Sequence, residues 1–493
     1  MVLMKKRVPT PLIFWLLLGW AAEGVLAEVA TEREALSMAQ NWTTRVIRTF
    51  GSWGGSPYAR VLGIQPFNRG DRQLGYFCPV EPRGYLVVSL HKELAPVKAY
   101  SETDTLDPSS NEGIADVIKG GLERMISAAE RQVGKVALAA EADLSAVVEI
   151  DYSPVWEQMA IEPAIYTAMA LPASVPADYQ EGQVMLTTAW HQFWPYNDQC
   201  PNLGCTDPDL NGRAPVGCVA TAGAQLMRYW YWPPYGSGSP YSDTYDWPNM
   251  PDTIDANSTA AEINAVAELG REIGIAVGMS YACGGSESFT YDMEGVYENH
   301  YRYSTSCARR NRPDYSAIDW FNRIKSQCNN NRPVHYRIPG HSIVGDGWRE
   351  TGSPVVREYH MNYGWRNAGN NTWYVLDALQ GGNPDDEYML ESIVPVQALG
   401  SSVSGAYSVP TFPYRYVDQD AVCSAGATFD AGHNIQFLPN ITLTGTSAAD
   451  PLRINGTSAD NTRLFTRGDD GRGALISGAG AIKMTSGGEI VFR

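Results

Sequence analysis

The chain has 493 residues, 44% of them hydrophobic and 18% charged, enough for several domains and a sizeable core. Its 37 Lys and Arg stand against 54 Asp and Glu, a formal net charge of −17. That balance argues against a nucleic-acid partner, which needs clustered positive charge.

The N-terminus reads as an export signal spanning residues 1–27. Lys5-Lys-Arg7 is a basic start, Leu12 to Leu18 an apolar centre, and Val25-Leu-Ala27 a small-residue exit. A membrane anchor is the competing reading, but the apolar centre is shorter than the ~18 residues a span needs. No membrane span is expected in the mature form, and the protein is expected to be secreted. Export places eight cysteines in an oxidising setting. Cys200 and Cys205 are close enough for a local disulfide, and Cys307 with Cys328 is a further candidate pair. Zinc at Cys200 and Cys205 lacks a second cysteine or histidine pair.

Taken in order, residues 30–50 predict an amphipathic helix through Ala35, Met38, Trp42 and Val46. Strand patterns follow at Leu74-Gly-Tyr-Phe77, Gly84 to Ser89 and Pro96 to Tyr100, then a helix over 113–135. The stretch 153–178 shows no clear period and reads as a linker. Residues 28–180 thus form a first α+β unit. The centre, 181–395, carries helices after Cys218 and near 260–273 and 314–328. Strands follow at Val334 to Arg337, Ser342 to Gly345, Val355 to Met361 and Trp373 to Leu376. Helices followed by strands predict a segregated α+β domain. Residues 405–493 carry short strand candidates at 435–438, 441–444, 452–455, 463–466, 474–477, 481–484 and 489–492. This small all-β C-terminal module reads as a sandwich or a small solenoid, with no ligand chemistry in it.

Pro215-Val-Gly-Cys218 opens a run in which Val219, Ala222, Leu226 and Trp230 recur at helical spacing, until Trp232-Pro-Pro234 stops it. Cys218 therefore sits at a helix N-terminus, where unpaired N–H groups favour a thiolate. A buried structural thiol is the competing reading. A nucleophile needs a base, and His341 opens a strand after Gly340; His335 and His360 sit inside strand patterns and read as structural. Asn362 is a candidate to orient His341, with Trp365 to shield that bond. Gln192, in Trp190 to Asn197, is a candidate oxyanion donor together with the Cys218 N–H.

These segments resemble the streptopain-type (C10) cysteine peptidases. Gly217-Cys-Val-Ala-Thr-Ala222, followed by Gln225, Met227, Tyr229 and Trp232-Pro233, is similar to their nucleophile segment. Trp190 to Asn197 is similar to their oxyanion segment, and Gly340-His341 to Gly347 and His360 to Trp365 to their histidine and asparagine–tryptophan segments. Met279 to Ser288 resembles their cleft wall, and Gly75 to Phe77, Gly84 to Ser89 and Pro96 to Ser101 resemble their propeptide. The resemblance covers roughly residues 30–395. It implies a papain-like catalytic domain preceded by an inhibitory α+β propeptide, and endopeptidase activity on protein or peptide substrates without cofactor or metal. It also implies Ser286, Gly285 and Trp365 as substrate-binding residues. Tyr363 stands where the family has a tryptophan, Ser342 replaces an alanine, 351–354 is a small insertion, and the extra cysteines are foreign to the pattern.

The function so read is a secreted cysteine endopeptidase made as a zymogen, working through a Cys218–His341 pair and a thioester acyl-enzyme. The alternative is a catalytically silent surface protein that uses its C-terminal β module for adhesion. A third reading hands the acyl group to an amine, as a transpeptidase does. Asp207-x-Asp209-x-Asn211-Gly212 resembles the start of a calcium loop, but its closing glutamate falls where Cys218 stands, so it reads as a polar loop.

Overall fold

The computed structural model describes residues 28–133, 149–169, 184–366, 371–375 and 387–396, and most of the strands of 398–492. The segment 1–27, read as an export signal, and the expected boundary at 180/181 lie outside the described residues.

Helix α1 (Glu32–Phe50) starts at a capping box, in which Thr31 accepts from the Glu34 N–H while the Glu34 carboxylate reaches back to Thr31. It buries Ala35, Met38, Trp42 and Val46, the face expected from the spacing. Strands β1 (Arg60–Val61), β2 (Gln65–Arg69), β3 (Arg72–Glu81), β4 (Tyr85–Ser89) and β5 (Val97–Ser101) follow, then helix α2 (Gly113–Val133). Alternation splits the strands between two cores. Phe77, Tyr85, Val87 and Ala99 face α2, whereas Cys78, Leu86, Val88 and Tyr100 face α1.

The stretch read as a linker instead holds helices α3 (Ser153–Met159) and α4 (Pro163–Ala168). Each begins with a proline in its first turn and is too short to display a period. Asn41 of α1 donates to the carbonyls of Met159 (2.8 Å) and Ile161 (2.9 Å), and Trp156 is buried beneath them.

In the central part, β6 (Asn202–Cys205) and β7 (Gly212–Arg213) precede helix α5 (Cys218–Trp230). Helices α6 (Ala260–Ala276) and α7 (Met293–Asn299), strand β8 (Ala308–Asn311) and helix α8 (Ala317–Asn329) come next. Strands β9 (Val334–Ile338), β10 (His341–Thr351), β11 (Val356–Asn362), β12 (Thr372–Val375) and β13 (Tyr388–Glu391) complete it. The spacing anticipated one buried face on α5, but every residue from Val219 to Trp230 is buried, so it is a central helix packed all round.

One 11-stranded antiparallel sheet joins both parts, in the order β1-β3-β4-β5-β12-β11-β10-β9-β13-β8 with β2 alongside β3. The seam is β5 against β12, where Tyr100 faces Trp373 and Ala99 faces Tyr374. Buried charges cross it. Arg349 donates to Tyr100 Oη (2.7 Å) and Glu102 (2.8 Å), and its guanidinium lies 3.7 Å from the Trp373 ring centre.

The C-terminal strands pair in parallel into three sheets. Gly405–Tyr407, Ala427–Phe429, Leu452–Ile454 and Ile482–Met484 form one. Tyr414–Val417, Asn434–Phe437, Thr462–Thr466 and Gly488–Phe492 form the second, and Ala421–Cys423, Thr442–Gly445 and Leu475–Gly478 the third. Of the two architectures the spacing allowed, this is a solenoid. Its first coil is not separate from the centre: Tyr416 is fully buried, edge-on to Trp230 (6.0 Å) and Trp232 (5.7 Å).

Candidate active site

Cys218 is the first residue of α5, and Gly217 before it adopts φ +92°. A side chain at Gly217 would stand 2.7 Å from the Met279 thioether and 3.1 Å from the Ser286 carbonyl. Backbone conformation and space therefore both require glycine ahead of the cysteine. The preceding turn is held from both sides: Val216 N–H donates to the Gln192 carbonyl (2.9 Å), and the Ser286 hydroxyl donates to the Pro215 carbonyl (2.7 Å). Gln192 is thus brought beside the nucleophile turn by its own backbone.

The wall carrying Ser286 is tied down by a disulfide between Cys205 and Cys283. This corrects the expected Cys200–Cys205 pair: Cys200 is a buried free thiol, as are Cys307 and Cys328. Spacing suggested the nearest partner, whereas the fold brings β6 against the wall, 78 residues away in sequence. Ser286 was expected to meet substrate, but its side chain is buried and its hydroxyl spent on Pro215. Gly285, at φ +149°, and Trp365 remain on the partly open side.

His341 opens β10 after Gly340, whose φ of +76° turns the β9–β10 hairpin. Its Nε2–H donates to the Tyr363 carbonyl (2.8 Å), and its ring lies against Trp365 (5.0 Å between centres). Asn362 does not make the bond expected of it. Its amide pairs reciprocally with Gln225 of α5 (3.2 Å each way), donates to the Thr188 carbonyl (2.9 Å) and accepts from the Gly364 N–H (3.0 Å). At the end of β11, successive side chains point to opposite faces, so Asn362 turns to the helix while the next carbonyl meets the histidine. Tyr363 acts through its backbone, which no side-chain motif reveals.

His335 and His360 are structural. His335 bridges Tyr297 Oη (2.9 Å) and Ser342 Oγ (2.7 Å), and burial pushes its pKa down to about 3. His360 pairs with Asp346 (2.6 Å), whose carboxylate and carbonyl accept from the Leu186 and Met185 amides. The Asp207–Asn211 loop is committed elsewhere too: Asp207 caps its own turn and Asp209 pairs with Arg366.

The electrostatics run against a ready ion pair in this form. Cys218 is only partly covered by surface area, yet the protein packed around its sulfur raises the thiol above its ordinary value. The N–H groups of Ser342, Val219 and Cys218 and the Arg337 guanidinium oppose that rise without overcoming it. The helix-terminus effect anticipated for Cys218 is thus present and outweighed. Burial likewise pushes His341 down to about 4, with Arg337 adding to the fall and the Tyr363 carbonyl resisting it. Arg337, directly across the strands from Ser342, had no signal in the sequence beyond its place near His335.

A cavity of about 850 Å³, lined by neither Cys218 nor His341, opens between the central part and the N-terminal unit. His191, Arg366 and Asn371 line it together with Thr103, Asp104 and Thr105 from the N-terminal unit. Asn371 is fastened there to Asp104 (3.1 Å) and Thr103 (2.8 Å).

Residues 190–374 match the profile of the Peptidase C10 family. The thiol protease/hemagglutinin PrtT of Porphyromonas gingivalis is 26% identical over 271 residues, 49% of this chain and 30% of that protein. This chain therefore spans under a third of that relative's length. Streptopain of Streptococcus pyogenes is 24% identical over 409 residues, covering 76% of this chain and 93% of streptopain. Among solved structures, a prointerpain A fragment of Prevotella intermedia is 22% identical, with a TM-score of 0.48, covering 67% of this chain and 98% of that one. No helix among the described residues is long and apolar enough to cross a membrane. The segment that holds the cysteine, the histidine and the glutamine is thus the part of the chain that is similar to the Peptidase C10 family, and the relatives it resembles are thiol proteases.

Proposed function

We propose that the chain is a secreted endopeptidase made as a zymogen, with a papain-like catalytic domain over residues 181–395. Residues 1–27 direct export, 28–180 form the inhibitory propeptide, and 405–493 form the C-terminal module. Cys218 Sγ attacks the scissile carbonyl, and His341 passes the thiol proton to the leaving amine. Water then hydrolyses the thioester, with His341 as base. The Gln192 side chain and the Cys218 N–H receive the oxyanion. The Tyr363 carbonyl fixes the His341 tautomer by holding Nε2–H, which leaves Nδ1 for the thiol. Asn362 acts indirectly, by bracing the end of β11 against α5.

The observation that carries this reading is the His341 Nε2–Tyr363 contact, made in a strand that also turns the Ser342 N–H toward the Cys218 thiol. The propeptide reading rests on the β5–β12 seam and on Thr103 to Thr105 beside His191 and Arg366. A raised thiol and a lowered imidazole fit a latent form whose ion pair develops once the cover leaves. The test is mass spectrometry of the full chain beside Cys218→Ala, before and after incubation under reducing conditions, with casein as added substrate. Wild type should lose a segment ending near residue 180 and cleave casein, and Cys218→Ala should do neither. Self-processing or casein cleavage by Cys218→Ala refutes the assignment.

A further inference from the structure

The wall that steadies the nucleophile turn continues past Ser286 into an aromatic shelf. Buried Thr290 donates its hydroxyl to Ser342 Oγ (3.1 Å), so the turn at 289–291 abuts the start of β10. On either side of it in sequence, Phe289 and Tyr291 are 62% and 40% exposed, with their rings stacked 5.1 Å apart. The Tyr291 N–H donates to Tyr388 Oη (3.0 Å), which fixes the shelf to β13.

The sheet sets two guanidinium groups along this shelf. Arg337 of β9 stands opposite Ser342, and Tyr388 of β13 stands opposite both Arg337 and Asn311 of β8. Directly opposed residues share a face, as do residues two apart on one strand. Ser342, Arg337, Tyr388 and Arg309 therefore share one face across β10, β9, β13 and β8. The Arg309 guanidinium lies 4.0 Å from the Tyr388 ring centre and 5.6 Å from that of Tyr291. At the other end of the row the Ser342 N–H meets the Cys218 thiol, and the Arg337 charge acts on both that thiol and His341. The neighbouring cations are committed elsewhere: Arg310 pairs with Glu391 (2.7 Å), and buried Arg312 donates to the Tyr315 carbonyl (2.8 Å).

Resting on the peptidase reading of Cys218 and His341, we propose that Arg337 and Arg309 are specificity-determining residues. They take acidic side chains of an extended protein substrate on one side of the scissile bond. A guanidinium fork meets a carboxylate at two points and repels lysine and arginine. Arg337 is one strand from Ser342, about 5 Å, and so reads a residue next to the scissile bond or one removed from it. Arg309 lies two strands further, about 10 Å, which an extended peptide covers in about three residues. The Phe289–Tyr291 shelf beside them offers apolar surface for the aliphatic parts of the same peptide. In a chain whose formal net charge is −17, two cations in a row leading to the thiol make a local field that draws acidic substrate.

The test is a set of quenched fluorogenic peptides carrying Glu, Gln or Lys at each position in turn, cleaved by the full chain after incubation under reducing conditions. The readout is a ratio of kcat/KM values within one protein, which a general loss of activity does not mimic. Glu should be preferred to Gln by about tenfold or more at one position within two residues of the cleaved bond, with Lys the poorest. A weaker Glu preference should follow about three residues further out, and raising the salt should shrink both. Arg337→Glu should turn the nearer preference toward Lys, and Arg309→Glu, at an exposed position, should turn the outer one alone. If Arg337→Glu fails to fold, Arg309→Glu still decides the matter at its own position. Equal rates for Glu and Gln peptides at every position, or preferences that survive both charge reversals, overturn the proposal. Wild type that cleaves none of the peptides, nor casein, would fail the peptidase reading itself and this proposal with it.

Discussion

The His341 imidazole gives its Nε2–H to the backbone carbonyl of Tyr363, at 2.8 Å, and not to a side-chain amide. A carbonyl fixed by strand geometry orients the ring as well as an asparagine would, and it does not depend on residue type at 363. Asn362 is freed to join the end of β11 to α5 through Gln225. Removing either amide strands buried partners at about 1–3 kcal/mol. Asn362→Ala and Gln225→Ala should therefore each lower melting temperature and turnover together, and the double variant should lose less than the sum. Thermal melts and kcat for the three proteins check this. A flattened pH–rate profile with unchanged stability would instead put Asn362 on the histidine.

Four histidines are held neutral by burial. His341, His91 and His191 are pushed down to about 4, and His335 to about 3. An unfolded chain takes up these protons near the ordinary value of about 6.5, while the folded chain does not until the pH is far lower. Stability is therefore full above about pH 6.5 and falls as the pH drops toward about 4, by up to about 1.4 kcal/mol per pH unit for each histidine. Melting of Cys218→Ala protein between about pH 7 and about pH 4.5 measures the slope. His335→Gln in that background should make it shallower.

Arg349 and Glu102 are the pair that closes the β5–β12 seam, and Arg45 of α1 approaches Glu358 of β11 at 3.4 Å beside them. Removing one partner of a buried pair costs about 3–5 kcal/mol, because the other charge stays buried. Glu102→Ala should loosen residues 28–180 from the sheet and speed self-processing of the full chain. A time course by gel checks this; an unchanged rate would mean that the seam does not control release.

Tyr416 should be the residue that makes the solenoid part of the catalytic core. Emptying its place between Trp230 and Trp232 should cost about 3–5 kcal/mol, as large aromatic truncations do. Residual activity of Tyr416→Ala after heating should then fall at a lower temperature than wild type. An unshifted loss of activity would make the solenoid an independent passenger.

What the sequence disclosed follows from how local each cause is. The α1 face, the start of α5 at Cys218 and the short C-terminal strands depend on spacing, caps and breakers within a few residues, and they were legible. The Cys205–Cys283 bond, the reciprocal Asn362–Gln225 pair and the β5–β12 seam depend on which elements meet in space, and spacing carries no record of that. Cys218 shows the same division. The helix N-terminus that favours a thiolate was readable, but the packing that raises the thiol is a property of the folded surroundings.

The most direct test of the whole account is labelling by an epoxysuccinyl cysteine-protease inhibitor, with the modified residue located by mass spectrometry. The full chain, with its raised thiol and neutral His341, should label slowly at neutral pH, and the chain freed of residues 28–180 should label rapidly and at Cys218 alone. Rapid labelling of the covered chain, or an adduct on Cys200, Cys307 or Cys328 in place of Cys218, would contradict it.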